Sequence, residues 1–179
     1  FWVSQAAAIA MRDQGDGGCI INTTSGAHMG NFGQTNYAAA KGAIASMTYT
    51  WALELARYGI RVNCIAPAGS TRMTATAKDA DGNDIELPFW DPALNTPLVA
   101  YMISDEGNWV TGQVFATGME RLGVMRQPTF GKTLVREGGW DIESVRRFFK
   151  DGLGPELERF GLTKPPYAFY DGLSAPAKK

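Results

Sequence analysis

Tyr37 and Lys41 form a Tyr-x-x-x-Lys pair. On a helix, residues at this spacing share one face with their Cβ atoms about 5–6 Å apart. A phenol titrates near ~10 and exchanges a proton poorly at neutral pH, so a tyrosine that works as an acid or base needs a cation beside it. At about 6 Å and an effective dielectric of ~20, one ammonium favours a phenolate by roughly 2.8 kcal/mol. Spacing alone is weak evidence, because six Tyr and seven Lys in 179 residues give such a pair by chance roughly 0.2 times, and most such pairs are a solvated helix face. Ser25 strengthens the case. It lies twelve residues before Tyr37, just past an apolar stretch, where its hydroxyl could hold a substrate oxygen in front of the phenol. His28, the single histidine, sits in the same glycine-rich segment; a loop histidine is more often a polar filler than a catalyst. No Cys, His and carboxylate cluster stands at ligand spacing, so no metal site is assigned.

These side chains need a scaffold. Residues 1–14 carry Phe1, Gln5, Ala6, Ile9, Ala10 and Met11 at helical spacing, and Gly15, Gly17 and Gly18 supply a stop. Residues 19–24 are short, β-branched and bounded by glycines, which reads as a buried parallel strand. A loop containing Gly26, Gly30 and Gly33 follows. From Asn36 to Tyr58, Ala40, Ile44, Met47, Trp51 and Leu55 recur at spacings of four, three, four and four, which predicts a long amphipathic helix. Gly59 stops it, and residues 61–66 read as a second strand ended by Pro67. Strand, helix and strand with short connections make a βαβ unit, hence an α/β fold with a parallel sheet covered by helices. Residues 68–90 show no clear period. Asp91, followed by Pro92, predicts the start of a helix running to Ser104, and residues 113–117 read as a third strand. Beyond Gly118 the pattern loosens, except for a capped helix over residues 141–150. Pro165, Pro166 and Tyr167 mark an extended tail.

Composition sets outer limits. The chain is 45% hydrophobic, which excludes disorder as its main state. Seventeen basic against eighteen acidic residues leave a net charge of −1, without the basic surplus that a nucleic-acid binder uses to displace counterions. Cys19 and Cys64 are too few for a disulfide framework and lie in apolar stretches, which favours reduced thiols and a cytoplasmic setting. No apolar run reaches the ~18 residues of a membrane span.

The run Ile20-Ile21-Asn22-Thr23-Thr24-Ser25, the run from Gly30 through Asn36-Tyr37-Ala38-Ala39-Ala40-Lys41, and Ile60-Arg61-Val62-Asn63-Cys64-Ile65-Ala66-Pro67 resemble the short-chain dehydrogenase/reductase family. Thr71-Arg72-Met73-Thr74 and Trp109-Val110-Thr111-Gly112-Gln113 extend the likeness, which covers residues 1–118 in family order. The resemblance implies a Rossmann-like doubly wound parallel sheet, of which this chain holds the C-terminal portion over residues 1–118, with a C-terminal extension over 119–179. It implies an NAD(P)-dependent oxidoreductase that interconverts a secondary alcohol and a ketone, with NAD or NADP as cofactor. Tyr37 would be the general acid/base, Lys41 would support the phenolate and bind the nicotinamide ribose, and Ser25 would hold the substrate oxygen. Tyr37, Lys41, Pro67 and Thr71 would border the nicotinamide end of the cofactor.

Two departures stand out. The family serine commonly lies thirteen residues before the tyrosine, which here is Thr24; a loop shortened by one residue between Ala27 and Met29 would restore Ser25, the preferred assignment. Ala68 replaces the glycine that usually follows the proline. The long helix builds a subunit interface in the family, so a homo-oligomer through Ile44, Met47, Trp51 and Leu55 is implied. The Gly-Asn-Phe-Gly-Gln-Thr-Asn-Tyr run, the Ser70-to-Thr74 segment and the extension resemble the hydroxyacyl-CoA dehydrogenase unit of peroxisomal multifunctional enzymes and its bacterial relatives, which points to 3-hydroxyacyl or lipid-like substrates. Against this, residues 75–95 hold one lysine, Lys78, and five carboxylates, Asp79, Asp81, Asp84, Glu86 and Asp91, a poor match for CoA phosphates. Phe89 and Trp90 fit either a substrate lid or ordinary packing.

A dinucleotide site also needs a Gly-rich turn after a first strand. Gly15, Gly17 and Gly18 precede a strand instead. The expectation is therefore that the adenosine-binding half, with the family's Asn-Asn-Ala-Gly segment and catalytic asparagine, lies upstream of Phe1, and that these residues alone bind the cofactor weakly or not at all. The alternative is a non-catalytic fragment or assembly module that lacks the cofactor-binding half.

Overall fold

A computed structural model describes residues 1–72, 74, 83–84, 87–158 and 160–162. Helix α1 (Trp2–Gln14) ends at Gly15, which takes a left-handed φ of 85° and donates its N–H to the Met11 carbonyl. Strand β1 (Gly18–Thr23) leads through a 3-10 turn at Gly26–Met29 to helix α2 (Thr35–Leu55). A further 3-10 turn and Gly59, at φ 68°, end that helix before strand β2 (Ile60–Pro67). Asp91 caps a 3-10 turn at Pro92–Asn95 that runs into helix α3 (Thr96–Ile103). Strands β3 (Val114–Gly118) and β4 (Arg121–Met125) and helix α4 (Ile142–Gly152) follow.

The sheet order is β1-β2-β3-β4. β1, β2 and β3 are parallel, with Ile20 opposite Val62 and Cys64 opposite Val114, while β4 is antiparallel to β3. Alternation along each strand sorts the faces. Ile20, Ile60 and Val62 bury against Ala7, Ala8 and Met11 of α1 and Trp51 and Leu55 of α2, and Cys64 and Val114 continue that face against Ala45. On the opposite face the Arg61 guanidinium donates to the Met102 carbonyl of α3 at 2.7 Å and to the Val110 carbonyl at 3.0 Å. Helices thus cover both faces of a parallel sheet, the doubly wound arrangement. Both polar ends of buried Asn63 are paired: its amide donates to the Val110 carbonyl at 2.8 Å and its oxygen accepts from the Gln113 N–H at 3.1 Å, which offsets the cost of burying it.

Two elements differ from the sequence reading. The residues of α2 buried on the sheet are Ala45, Thr48 and Ala52, whereas Ile44, Met47, Trp51 and Leu55 are half-buried beside them. Small side chains let the helix lie close to the strands, and the larger ones flank the contact; Trp51 meets the Phe1 ring at 5.7 Å. Beyond Gly118 the chain turns back as β4, so the sheet extends past residue 118. Gly118 has φ 99°, and a Cβ there would collide with the Ala68 carbonyl oxygen, so only glycine fits at this hairpin.

The chain divides into two compact units, residues 1–126 and 127–179. Within the second, α4 starts with a capping box between Asp141 and Ser144. The Ser144 N–H and hydroxyl hold the Asp141 carboxyl below the usual carboxylate range. Lys78, Asp79, Asp81 and Glu86 of the acidic segment and the Pro165-Pro166-Tyr167 tail lie outside the described residues. Among the described residues no helix is long and apolar enough to cross a membrane.

Candidate active site

In a parallel sheet the carboxyl ends of neighbouring strands share one edge, where loops project functional groups. Thr23 ends β1 and Pro67 ends β2 at that edge. The loop after β1 brings the chain to the first turns of α2, which carry Tyr37 and Lys41. The Lys41 ammonium donates to the Thr23 carbonyl at 3.0 Å and lies 5.6 Å from the centre of the Tyr37 ring. The Tyr37 side chain is 40% exposed and open to a ligand.

Ser25 is partly exposed. Its oxygen accepts from the Ala27 N–H at 3.2 Å, capping the 3-10 turn, and its own proton is left to donate. Thr24 is 1% exposed, and its hydroxyl donates to the Lys41 carbonyl at 2.6 Å. The two neighbouring hydroxyls therefore differ: one is sealed in a backbone bond and the other is accessible. His28 points its ring back into the loop, with Nδ1 2.6 Å from the Ser25 carbonyl, which also accepts the His28 N–H at 3.1 Å. A carbonyl only accepts, so Nδ1 carries the hydrogen. His28 thus secures Ser25 from behind.

Pro67 is exposed at the end of β2. Thr71, also exposed, donates its N–H to the Thr74 hydroxyl at 2.7 Å. Ser70 pairs this loop with the segment before α3: its N–H donates to the Trp90 carbonyl and its hydroxyl accepts from the Trp90 N–H, each at 2.8 Å. Trp90 is half-buried, whereas Phe89 is 77% exposed and, with Leu87, borders a groove alongside Thr71. The structure joins Tyr37, Lys41 and the end of β1 through direct contacts, and it sets Pro67 and Thr71 on the same sheet edge without a direct contact to that group.

Cys64 is buried and Cys19 half-buried, and burial pushes both thiols up, with Arg61 opposing the shift at Cys19. Neither is suited to nucleophilic work. Sequence reasoning missed the part played by the Thr23 carbonyl, the Thr24 hydroxyl and the His28 ring. The paired threonines ending a buried strand were the available signal, but the direction of their bonds depends on the register of α2.

Fold and site define the Rossmann-like, doubly wound class of α/β proteins. Residues 1–82 match the family model for short chain dehydrogenases. Over 119 residues the chain is 39% identical to estradiol 17-beta-dehydrogenase 8 of Callithrix jacchus, covering 63% of this chain and 89% of that protein. Over 119 residues it is 38% identical to the (3R)-3-hydroxyacyl-CoA dehydrogenase of Rattus norvegicus, covering 63% of this chain and 46% of that one. The crystal structure of a short chain dehydrogenase from Mycobacterium avium matches with a TM-score of 0.68 and 33% identity, covering 84% of this chain and 51% of that chain. The chain belongs to the short chain dehydrogenase family. It spans less than half the length of several curated relatives that it matches.

Proposed function

We propose that the protein is an NAD(P)-dependent oxidoreductase interconverting a secondary alcohol and a ketone, with Ser25, Tyr37 and Lys41 as its catalytic residues. The observation that carries this reading is the Lys41 ammonium 5.6 Å from the Tyr37 ring, beside an accessible Ser25 hydroxyl at the end of β1. The Ser25 hydroxyl donates to the substrate oxygen and holds it toward the phenol. In the oxidising direction the Tyr37 phenolate takes the hydroxyl proton as the carbonyl forms, and in the reducing direction the phenol returns it. Lys41 places its ammonium beside the phenol ring, held there by the Thr23 carbonyl. When bound, NAD or NADP supplies the acceptor or donor of the hydride.

The residues at this edge fit the nicotinamide end of such a cofactor. An ammonium, a phenol and the Thr71 hydroxyl offer polar partners for a ribose and a carboxamide, and exposed Pro67 offers an apolar contact. The sequence contains neither Gly-x-x-x-Gly-x-Gly nor Gly-x-Gly-x-x-Gly, the patterns of turns that hold a pyrophosphate. The name of the rat relative and the apolar Leu87 and Phe89 beside Thr71 support a 3-hydroxyacyl or lipid-like substrate. Self-association through α1 and α2 is part of the proposal, supported by Trp2, Val3 and Leu53, apolar side chains left exposed there. Light scattering of wild type beside Leu53→Asp tests it: a fall in mass is expected, and a monomeric wild type would refute it. The catalytic reading is tested by Tyr37→Phe in the full-length natural polypeptide, assayed for alcohol-dependent nicotinamide reduction. Loss of turnover is expected, and an unchanged rate would refute the assignment.

A further inference from the structure

We propose that Thr24 is a positioning residue, whose buried hydroxyl sets Lys41 against Tyr37 by binding the lysine's own carbonyl. The proposal rests on the catalytic reading above and adds a residue that touches neither substrate nor cofactor. The backbone of Thr23, which ends β1, and the side chain of Thr24 just past it grip one lysine at two points. The Thr23 carbonyl takes the ammonium at 3.0 Å, and the Thr24 hydroxyl donates to the Lys41 carbonyl at 2.6 Å. A carbonyl oxygen has two lone pairs, so it can accept this bond beside its place in the helix ladder. Thr24 is itself fixed, since its N–H donates to the Ile65 carbonyl of β2 at 2.8 Å. A short chain of bonds thus runs from the central strand through Thr24 to α2.

The same peptide segment sets the third group. Ser25 follows Thr24 directly, and its carbonyl is held twice by His28. The spacing between the serine hydroxyl and the Tyr-Lys pair is therefore governed by where Thr24 fastens α2. At the start of the helix Gln34 makes no side-chain cap bond and Asn36 Oδ1 accepts the Tyr37 N–H at 2.9 Å; the Thr24 peg adds a fixing point that ties these turns to the sheet. Displacements of about 1 Å remote from the reacting atoms can cost ~100-fold in rate.

The test compares Thr24→Ala with Thr24→Ser in the full-length natural polypeptide, assayed with cofactor and alcohol. Both variants lose the methyl group and only the serine keeps the donor, so their difference isolates the hydrogen bond. The expected result for Thr24→Ala is a kcat lower by roughly 10- to 100-fold with KM within about 3-fold of wild type. Thr24→Ser should return kcat to within about 3-fold of wild type. Equal kcat in the two variants would overturn the proposal, as would a loss confined to KM. Failure of Thr24→Ala to fold while Thr24→Ser folds would also overturn it, by assigning the bond to stability alone. Tyr37→Phe measured alongside separates the two levels. An active Tyr37→Phe removes the catalytic reading and this proposal with it, whereas an inactive one with equal Thr24 variants removes only the role of Thr24.

Discussion

Strand β2 is paired on both sides and covered on both faces, whereas β4 is paired on one side and has four of its five residues exposed. Ile60, Val62 and Cys64 of β2 meet α1 and α2, and Arg61 and Asn63 reach the segments on the other face. β4 turns only Met125 inward, against Val114. A strand held from four directions can present Pro67 and, through its neighbour, Thr23 to Ser25 at fixed positions. A strand held by one ladder closes an edge and positions no part of the proposed site.

The largest expected contrast is chemical. Tyr37→Phe should lower kcat by about 10²–10⁴-fold, while Leu122→Ser on β4 should leave turnover unchanged in the same nicotinamide assay. Next is stability. Ile60→Ala should cost about 2–5 kcal/mol of unfolding free energy, and Leu122→Ala should stay within about 0.5 kcal/mol, both read by urea titration. Similar losses for the two would dissolve the contrast. At the hinge between the two regions, Gly118→Ala should cost at least about 1 kcal/mol, because the left-handed backbone and the Ala68 carbonyl both oppose a side chain.

Two smaller effects bear on the same contrast. Cys64 should resist a thiol reagent until the protein unfolds, while half-buried Cys19 reacts slowly in the folded state; equal labelling rates would show that β2 opens readily. The smallest effect belongs to α4. Its Asp141 carboxyl is held low by Ser144, so its contribution is present above the ordinary aspartate value of about 3.9 and is lost as pH falls through the lower folded value. Protection of the Ser144 amide, its exchange measured relative to the intrinsic rate at each pH, should therefore fall on acidification in wild type, and Asp141→Asn should remove that dependence.

Elements with local signals were legible. The glycine stop after α1, the apolar strands β1 and β2, and the Asp141 cap of α4 follow from residues within one or two turns of each other. The stripe from Ala40 to Leu55 predicted the α2 helix, and Ile44, Trp51 and Leu55 pack against the core; that Ala45, Thr48 and Ala52 are the residues buried on the strands was not legible, because periodicity reports size and polarity and not how close a sheet will come. β4 escaped because five mostly exposed residues carry no apolar alternation long enough to count.

The same division runs through the site. Placing Tyr37 and Lys41 on one helical face is a matter of local geometry and follows from their spacing, as does the presence of a hydroxyl pair at the end of the strand before them. Which hydroxyl remains accessible depends on packing. The Thr24 donor and the Lys41 carbonyl are seventeen residues apart, and their bond exists because β1 and α2 meet in one register. Non-local hydrogen bonds of this kind depend on distances between packed elements that no residue spacing encodes.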